Sequence, residues 1–308
     1  MRLLYLHIGL HKTGTSYLQK LVAVNARLLA NAGLSLAPYD DRQTHNALVT
    51  GLLDNGPRHF LNSLKWRKTN RILVTSESLS HAFRDLELAH DLARSARSEN
   101  IKLKLILVLR RQDLLKESVY SEVVKTWFQG SILEDVHYDY DFNKRVTGLE
   151  GAFGRENIGL VLYGGGQAKT LSELFLEQME FSPFPGALDD VPSQNVSMHR
   201  RKTLFLSQVP KQDARLARIV LNTVEQSDAI KDDGIKYMMS PAQRSQFLSR
   251  FLEGNEQLRA RYNIDELDWF PPATLSDEEW TPPDPINPPE YTGIMLEALK
   301  TLGRTPRE

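Results

Sequence analysis

Four short runs rich in Leu, Ile and Val punctuate the first half of the chain: Leu3–Ile8, Ile72–Thr75, Leu103–Leu109 and Ile158–Tyr163. They are apolar almost continuously rather than at alternate positions, which is the habit of strands buried on both faces of a parallel sheet. Between them the apolar spacing becomes helical. Leu18, Leu21, Val22, Leu28 and Leu29 fall on one face of a helix that Gly33 is placed to end. Asp85–Arg97 precedes the third strand, Asp113–Phe128 follows it with Asp113 as a cap or first-turn acid, and Thr170–Met179 follows the fourth. Strands alternating with helices at this spacing predict βαβ units and an α/β fold of three layers, α/β/α, around a central parallel sheet.

Past about residue 190 the strand pattern fades and helical patterns take over, clearest over Lys211–Val224 and Pro241–Leu252. Seven prolines among the nineteen residues from Pro271 to Pro289 predict an extended strap, followed by a terminal helix around Tyr291–Leu302. The expected organisation is an α/β core over 1–190, a mostly helical part over 191–270 that completes the core and the acceptor site, and a strap with its helix over 271–308, together one structural domain. No internal repeat is visible.

Composition narrows the partners. The 308 residues are 41% hydrophobic and 25% charged, as in ordinary soluble globular proteins. With 38 Lys and Arg against 39 Asp and Glu, the whole-chain field does not steer toward nucleic acid, and any basic surface is local. The absence of cysteine excludes disulfides, thiolate metal sites and a cysteine nucleophile. Leu3–Ile8 is too short for a signal-peptide core and no run approaches ~20 apolar residues, so neither export nor a membrane span is expected, and cytoplasm is the default.

Ligands of open α/β sheets bind outside the carboxyl ends of the strands, and three of the four ends carry chemistry. The first strand runs into a small polar turn, Lys12, Thr13, Gly14, Thr15 and Ser16, that opens a helix, the build of an anion cradle of backbone N–H groups. Gly9, four residues, then Gly14 has the spacing of the nucleotide-binding P-loop, but Thr15 stands where that motif has its lysine. The loop's lysine is Lys12, which points to a donor whose transferable group differs from a γ-phosphate. After the second strand come Glu77 and His81, after the third Arg110 and Arg111, with Ser118 two turns along the next helix. Glu77 and then His81 are candidates for a general base, and His45 is a weaker candidate for acceptor contact. Arg111 reads as a surface or salt-bridge residue, and Arg200, Arg201 and Lys202 read first as a solvated charge run.

Taken together, these motifs resemble the sulfotransferases that use 3′-phosphoadenosine 5′-phosphosulfate (PAPS), most closely bacterial members, over roughly residues 1–180. The stretch His11 to Ser16 resembles the family's 5′-phosphosulfate loop, where a lysine precedes a Gly-Thr pair and a helix. Arg110 with Ser118 eight positions later resembles its 3′-phosphate motif. The resemblance implies a P-loop-like fold, PAPS as co-substrate without a required metal, and in-line transfer to a hydroxyl or amine of a glycan, lipid-linked sugar or small metabolite. Lys12 would be catalytic at the bridging oxygen, Thr13, Gly14, Thr15 and Ser16 would hold the 5′-phosphate, and Arg110 and Ser118 the 3′-phosphate. Glu77 or His81 would be the base. Asn195 and Ser197 look familiar ahead of a basic lid segment, but Thr203 stands where the family places a glycine after its basic residues. A P-loop kinase or NTPase, and a nucleotide-binding module without turnover, are the competing readings. Acceptor identity and oligomeric state stay open.

Overall fold

The computed structural model describes residues 2–40, 44–66, 69–134, 138–181, 188–189, 191, 198–271 and 280–304. In chain order its elements are β1 (Arg2–Gly9), α1 (Thr15–Val24), α2 (Ala26–Asn31), β2 (Ser35–Leu36), α3 (Asn46–Ser63), β3 (Arg71–Ser76), α4 (Ser78–Ala82), α5 (Leu86–Ser98), β4 (Ile101–Arg110) and α6 (Gln112–Thr126). There follow α7 (Phe142–Phe153), β5 (Ile158–Tyr163), α8 (Leu171–Glu177), α9 (Arg200–Gln208), α10 (Ala214–Gln226), α11 (Pro241–Ser249), α12 (Leu252–Arg261) and α13 (Pro288–Arg304). Contacts group the chain into two units, one of residues 1–111, 139–194 and 252–271, the other of residues 112–138, 195–251 and 272–308.

The first unit holds a five-stranded sheet in the order β2-β3-β1-β4-β5, parallel at every pairing. The four apolar runs are β1, β3, β4 and β5, and the two-residue β2 joins the edge. Parallel strands need crossovers, and their right-handedness sends the helix after β1 to one face and the helices between β3, β4 and β5 to the other. On the first face Tyr5, Leu73, Ile106, Val108 and Val161 form one core with Leu18, Leu21 and Val22 of α1, Leu29 of α2, and Leu174 and Phe175 of α8. The intervening strand residues, among them Leu4, Leu6, Ile8, Leu105 and Leu107, are fully buried, and α4 packs on β1 while α5 and α7 pack on β4. Full burial of such side chains contributes about 1.5–3 kcal/mol each, so the strand positions are fixed by packing.

Local signals agree with this arrangement. Asp85 caps α5 by accepting from the N–H groups of Glu87 and Leu88, and Thr170 opens α8 with a reciprocal capping box to Glu173. Gly33, at φ 93°, ends α2 in the left-handed region.

The second unit is helical among its described residues. Its core joins Tyr120 and Val124 of α6, Phe205 and Leu206 of α9, Val220 and Val224 of α10, and Ile294 and Ala298 of α13. Here the basic run departs from expectation. Arg200 and Arg201 are 2% and 7% exposed, not a solvated face. Arg200 Nε donates to Asp233 at 2.7 Å and its Nη1 to the Thr281 carbonyl at 2.8 Å. Arg201 grips both oxygens of Glu290 at 2.8 and 3.0 Å. A buried guanidinium must be paired, and residues 33 and 89 positions away supply the carboxylates. The prolines therefore bracket a segment whose carbonyls at Thr281, Asp284 and Pro285 accept from these arginines. Residues 272–279 of the strap, like Asn195 and Ser197, lie outside the described residues.

Candidate functional site

The chain leaves β1 toward β3 on one side, and β4 joins β1 on the other, so the strand order reverses at β1. That is where an open α/β sheet forms its crevice. Three of the loaded strand ends, those of β3, β1 and β4, are neighbours there.

At the end of β1 the turn is braced from within. Thr13 is fully buried and Thr15 is 1% exposed, and both hydroxyls donate to the Leu10 carbonyl, at 2.6 and 3.3 Å. Gly9 admits this packing because a β-carbon there would stand 2.3 Å from the Thr15 Oγ1. Lys12 and Gly14 both occupy the left-handed region, at φ 67° and 84°. For a lysine that conformation costs on the order of 1 kcal/mol, so the surrounding bonds must hold it. Gly14 caps α1 with no side-chain hydrogen bond. The first N–H groups of any helix lack intrahelical acceptors, and here the positive end of α1 faces the loop. Threonine side chains thus shape the turn from within, with the backbone of 13–16 and Lys12 at the start of α1.

Arg110, the last residue of β4, reaches across to this loop. Its Nη1 donates to the Lys12 carbonyl at 2.9 Å. Its guanidinium lies 5.4 Å from the ring centroid of Tyr163, its register partner on β5. The same ring passes 3.9 Å from where a Gly14 β-carbon would sit.

On the β3 side, Glu77 precedes α4 without capping it through its side chain. Instead its Oε2 lies 2.7 Å from His11 Nδ1, and His11 Nε2 lies 2.8 Å from His81 Nε2. The two rings are tilted, with centroids 5.0 Å apart. Burial lowers the His81 pKa most, with His11, Arg84 and Arg145 acting in the same direction and Glu77 opposing them. His81 is therefore held toward the neutral form, the form that accepts a proton.

Glu77 and His81 thus meet in one array, and Lys12 through Ser16 form one turn into α1, with Arg110 bonded to the Lys12 carbonyl. Ser118 stands half-buried in α6 of the second unit. His45 is fully buried. Its Nδ1 accepts from the Thr75 N–H at 3.0 Å and its Nε2 faces the Ala37 carbonyl at 3.0 Å, so it pins β3 to the chain after β2 and has no surface for an acceptor. Arg111 donates to the Pro271 carbonyl. Sequence reasoning passed over His11 and Tyr163. His11 was visible as the imidazole beside Lys12, but its partners come from the segment after β3, whose adjacency to β1 only the topology shows. Among the described residues, no group of three or more His, Asp or Glu is placed to hold a metal ion, and no helix is long and apolar enough to cross a membrane.

No known family profile matches the chain. No curated protein matches it in sequence. Among solved structures, the chain is similar to a sulfotransferase from Alicyclobacillus acidocaldarius, at 15% identity over 86% of this chain and 97% of that one, with a TM-score of 0.43. That overlap is loose, and function has to follow from the residues of this chain.

Proposed function

We propose that this protein moves a sulfuryl group from PAPS to a hydroxyl or amine acceptor on a carbohydrate or small metabolite. The observation that carries the reading is the hydrogen bond from Arg110 to the Lys12 carbonyl. It joins two motifs that lie 98 residues apart, and the donor chemistry of that cluster, backbone N–H groups with one ammonium and one guanidinium, fits a nucleotide with anionic groups at both its 3′ and 5′ positions. Lys12 would stabilise the bridging oxygen as the sulfur–oxygen bond breaks, an interaction worth most in the transition state. Backbone N–H groups of Thr13, Gly14, Thr15 and Ser16 would hold the 5′-phosphate. Arg110 would take the 3′-phosphate, and Ser118 is assigned to the same group by the eight-residue spacing alone. Glu77 and His81 would serve the acceptor's proton.

The P-loop kinase or NTPase reading keeps the Gly9-to-Gly14 spacing but has Thr15, buried and turned to Leu10, in the lysine position. The test is incubation of the purified protein with PAPS labelled in the sulfuryl group and a fractionated cell extract. Label should move to an acceptor fraction, and Lys12→Ala should slow transfer by about 10²–10³-fold, as loss of a transition-state donor does. Magnesium-dependent ATP hydrolysis with no label transfer would favour the alternative.

A further inference from the structure

Glu77, His11 and His81 form a chain of three ionisable groups, linked at 2.7 Å and 2.8 Å. Its middle member, His11, directly precedes Lys12, in the loop proposed to hold the donor. We propose that the three act as one proton relay, with His81 as the group that takes the acceptor's proton and His11 as the positioning residue that fixes its tautomer. This rests on the sulfuryl-transfer reading for its substrate, though not for its proton logic.

Donor and acceptor roles settle the resting state. An ionised Glu77 only accepts, so His11 Nδ1 must carry a proton and donate it. Neutral His11 then has a lone pair at Nε2. His81 must donate its Nε2–H into that lone pair across the 2.8 Å contact, which leaves the His81 lone pair on Nδ1. His81 is exposed and free to meet an acceptor from solvent, whereas Glu77, with an exposure of 28%, already holds His11.

In the transfer, the acceptor oxygen or nitrogen forms its bond to sulfur as the sulfur–oxygen bond to the donor phosphate breaks, and that phosphate leaves with the electron pair. The acceptor's O–H or N–H bond breaks, and its proton forms a new bond to His81 Nδ1. The Nε2 proton of His81 can pass to His11 Nε2, while the positive charge is balanced by Glu77. The array returns to rest when the relayed proton passes back from His11 to His81 Nε2 and exposed His81 releases its Nδ1 proton to water.

Charged groups among the described residues face the array. Arg84 and Arg145 bear on His81 along with His11 and Glu77. Arg145 donates to the Ser80 carbonyl beside it and lies 3.6 Å from Asp139. Two imidazoles in contact, facing one carboxylate and two guanidiniums, should titrate as a coupled pair.

The experiment has two arms. Nitrogen NMR of the imidazoles, needing no substrate, should show His81 titrating in two steps coupled to His11, with Nδ1 as its unprotonated nitrogen. In His11→Asn, which keeps a donor toward Glu77, His81 should titrate in one step and at higher pH. In the kinetic arm, His11→Asn should lower kcat/KM by about 10²-fold with the affinity for adenosine 3′,5′-bisphosphate unchanged within about twofold, and the acid limb of the pH profile should follow the new His81 titration. An unchanged His81 titration in His11→Asn overturns the relay, as does a loss of turnover matched by an equal loss of nucleotide affinity. Coupled titration without sulfuryl transfer would keep the relay and remove the donor assignment.

Discussion

The two units treat their charges in opposite ways. In the first, the ionisable groups of interest sit part-exposed at strand ends: Arg110 donates to the Lys12 carbonyl, and Glu77 meets His11. In the second, Arg244 and Asp113 are 2% and 0% exposed and meet at 2.6 Å, while Arg200 and Arg201 are enclosed by Asp233, Glu290 and backbone carbonyls. A charge paired with a carboxylate inside the protein builds structure. One placed at the edge of a crevice can do chemistry. Residue type does not separate the two classes, because both units use arginine and glutamate.

The comparison can be broken most severely at the buried pair. Asp113→Ala leaves the Arg244 guanidinium buried beside Tyr237, 4.1 Å from its ring, without its carboxylate, and should destabilise the protein by about 3–5 kcal/mol in urea unfolding. A loss below about 1 kcal/mol would mean that the pair is not structural.

Glu117 gives a smaller effect with a definite sign. Burial raises its pKa from 4.5 to about 7, against the N–H groups of Met238 and Met239 and the Arg244 charge, which lower it. A carboxyl whose folded pKa is raised binds more protons folded than unfolded. Its contribution is fully present below pH 4.5 and lost as pH rises through about 7, a swing on the order of 3 kcal/mol. Glu117→Gln should flatten the stability profile over that interval, measured by urea unfolding at a series of pH values. His7 in the first unit has the reverse slope. Burial lowers its pKa from 6.5 to about 3, so its contribution is present above pH 6.5 and is lost as pH falls toward 3.

Much of the first unit was legible in sequence because its strands are continuous apolar runs and helices such as α5 and α8 carry caps. The remainder was hidden for physical reasons. In α3, Gly56 at φ 80° and Pro57 interrupt the helical period, α4 is five residues long, and Gly148 and Gly151 weaken α7. The start of α9 looked like a surface because Arg200 and Arg201 find their carboxylates far along the chain. In the site, loop and arginine were readable as separate motifs. The link between Glu77 and His81 was not, since His11 joins them only once β1 and β3 lie side by side.

Donor choice at Arg110 tests the central claim most directly. Calorimetric titration of the wild-type protein and Arg110→Ala with adenosine 3′,5′-bisphosphate and with ADP isolates the 3′-phosphate. The wild type should prefer the bisphosphate, and removing a charge-assisted bond worth about 1.5–3 kcal/mol should reduce that preference by about 10–100-fold while ADP binding changes little. Wild-type binding of the bisphosphate no tighter than ADP, or a preference that survives in Arg110→Ala, would contradict the account.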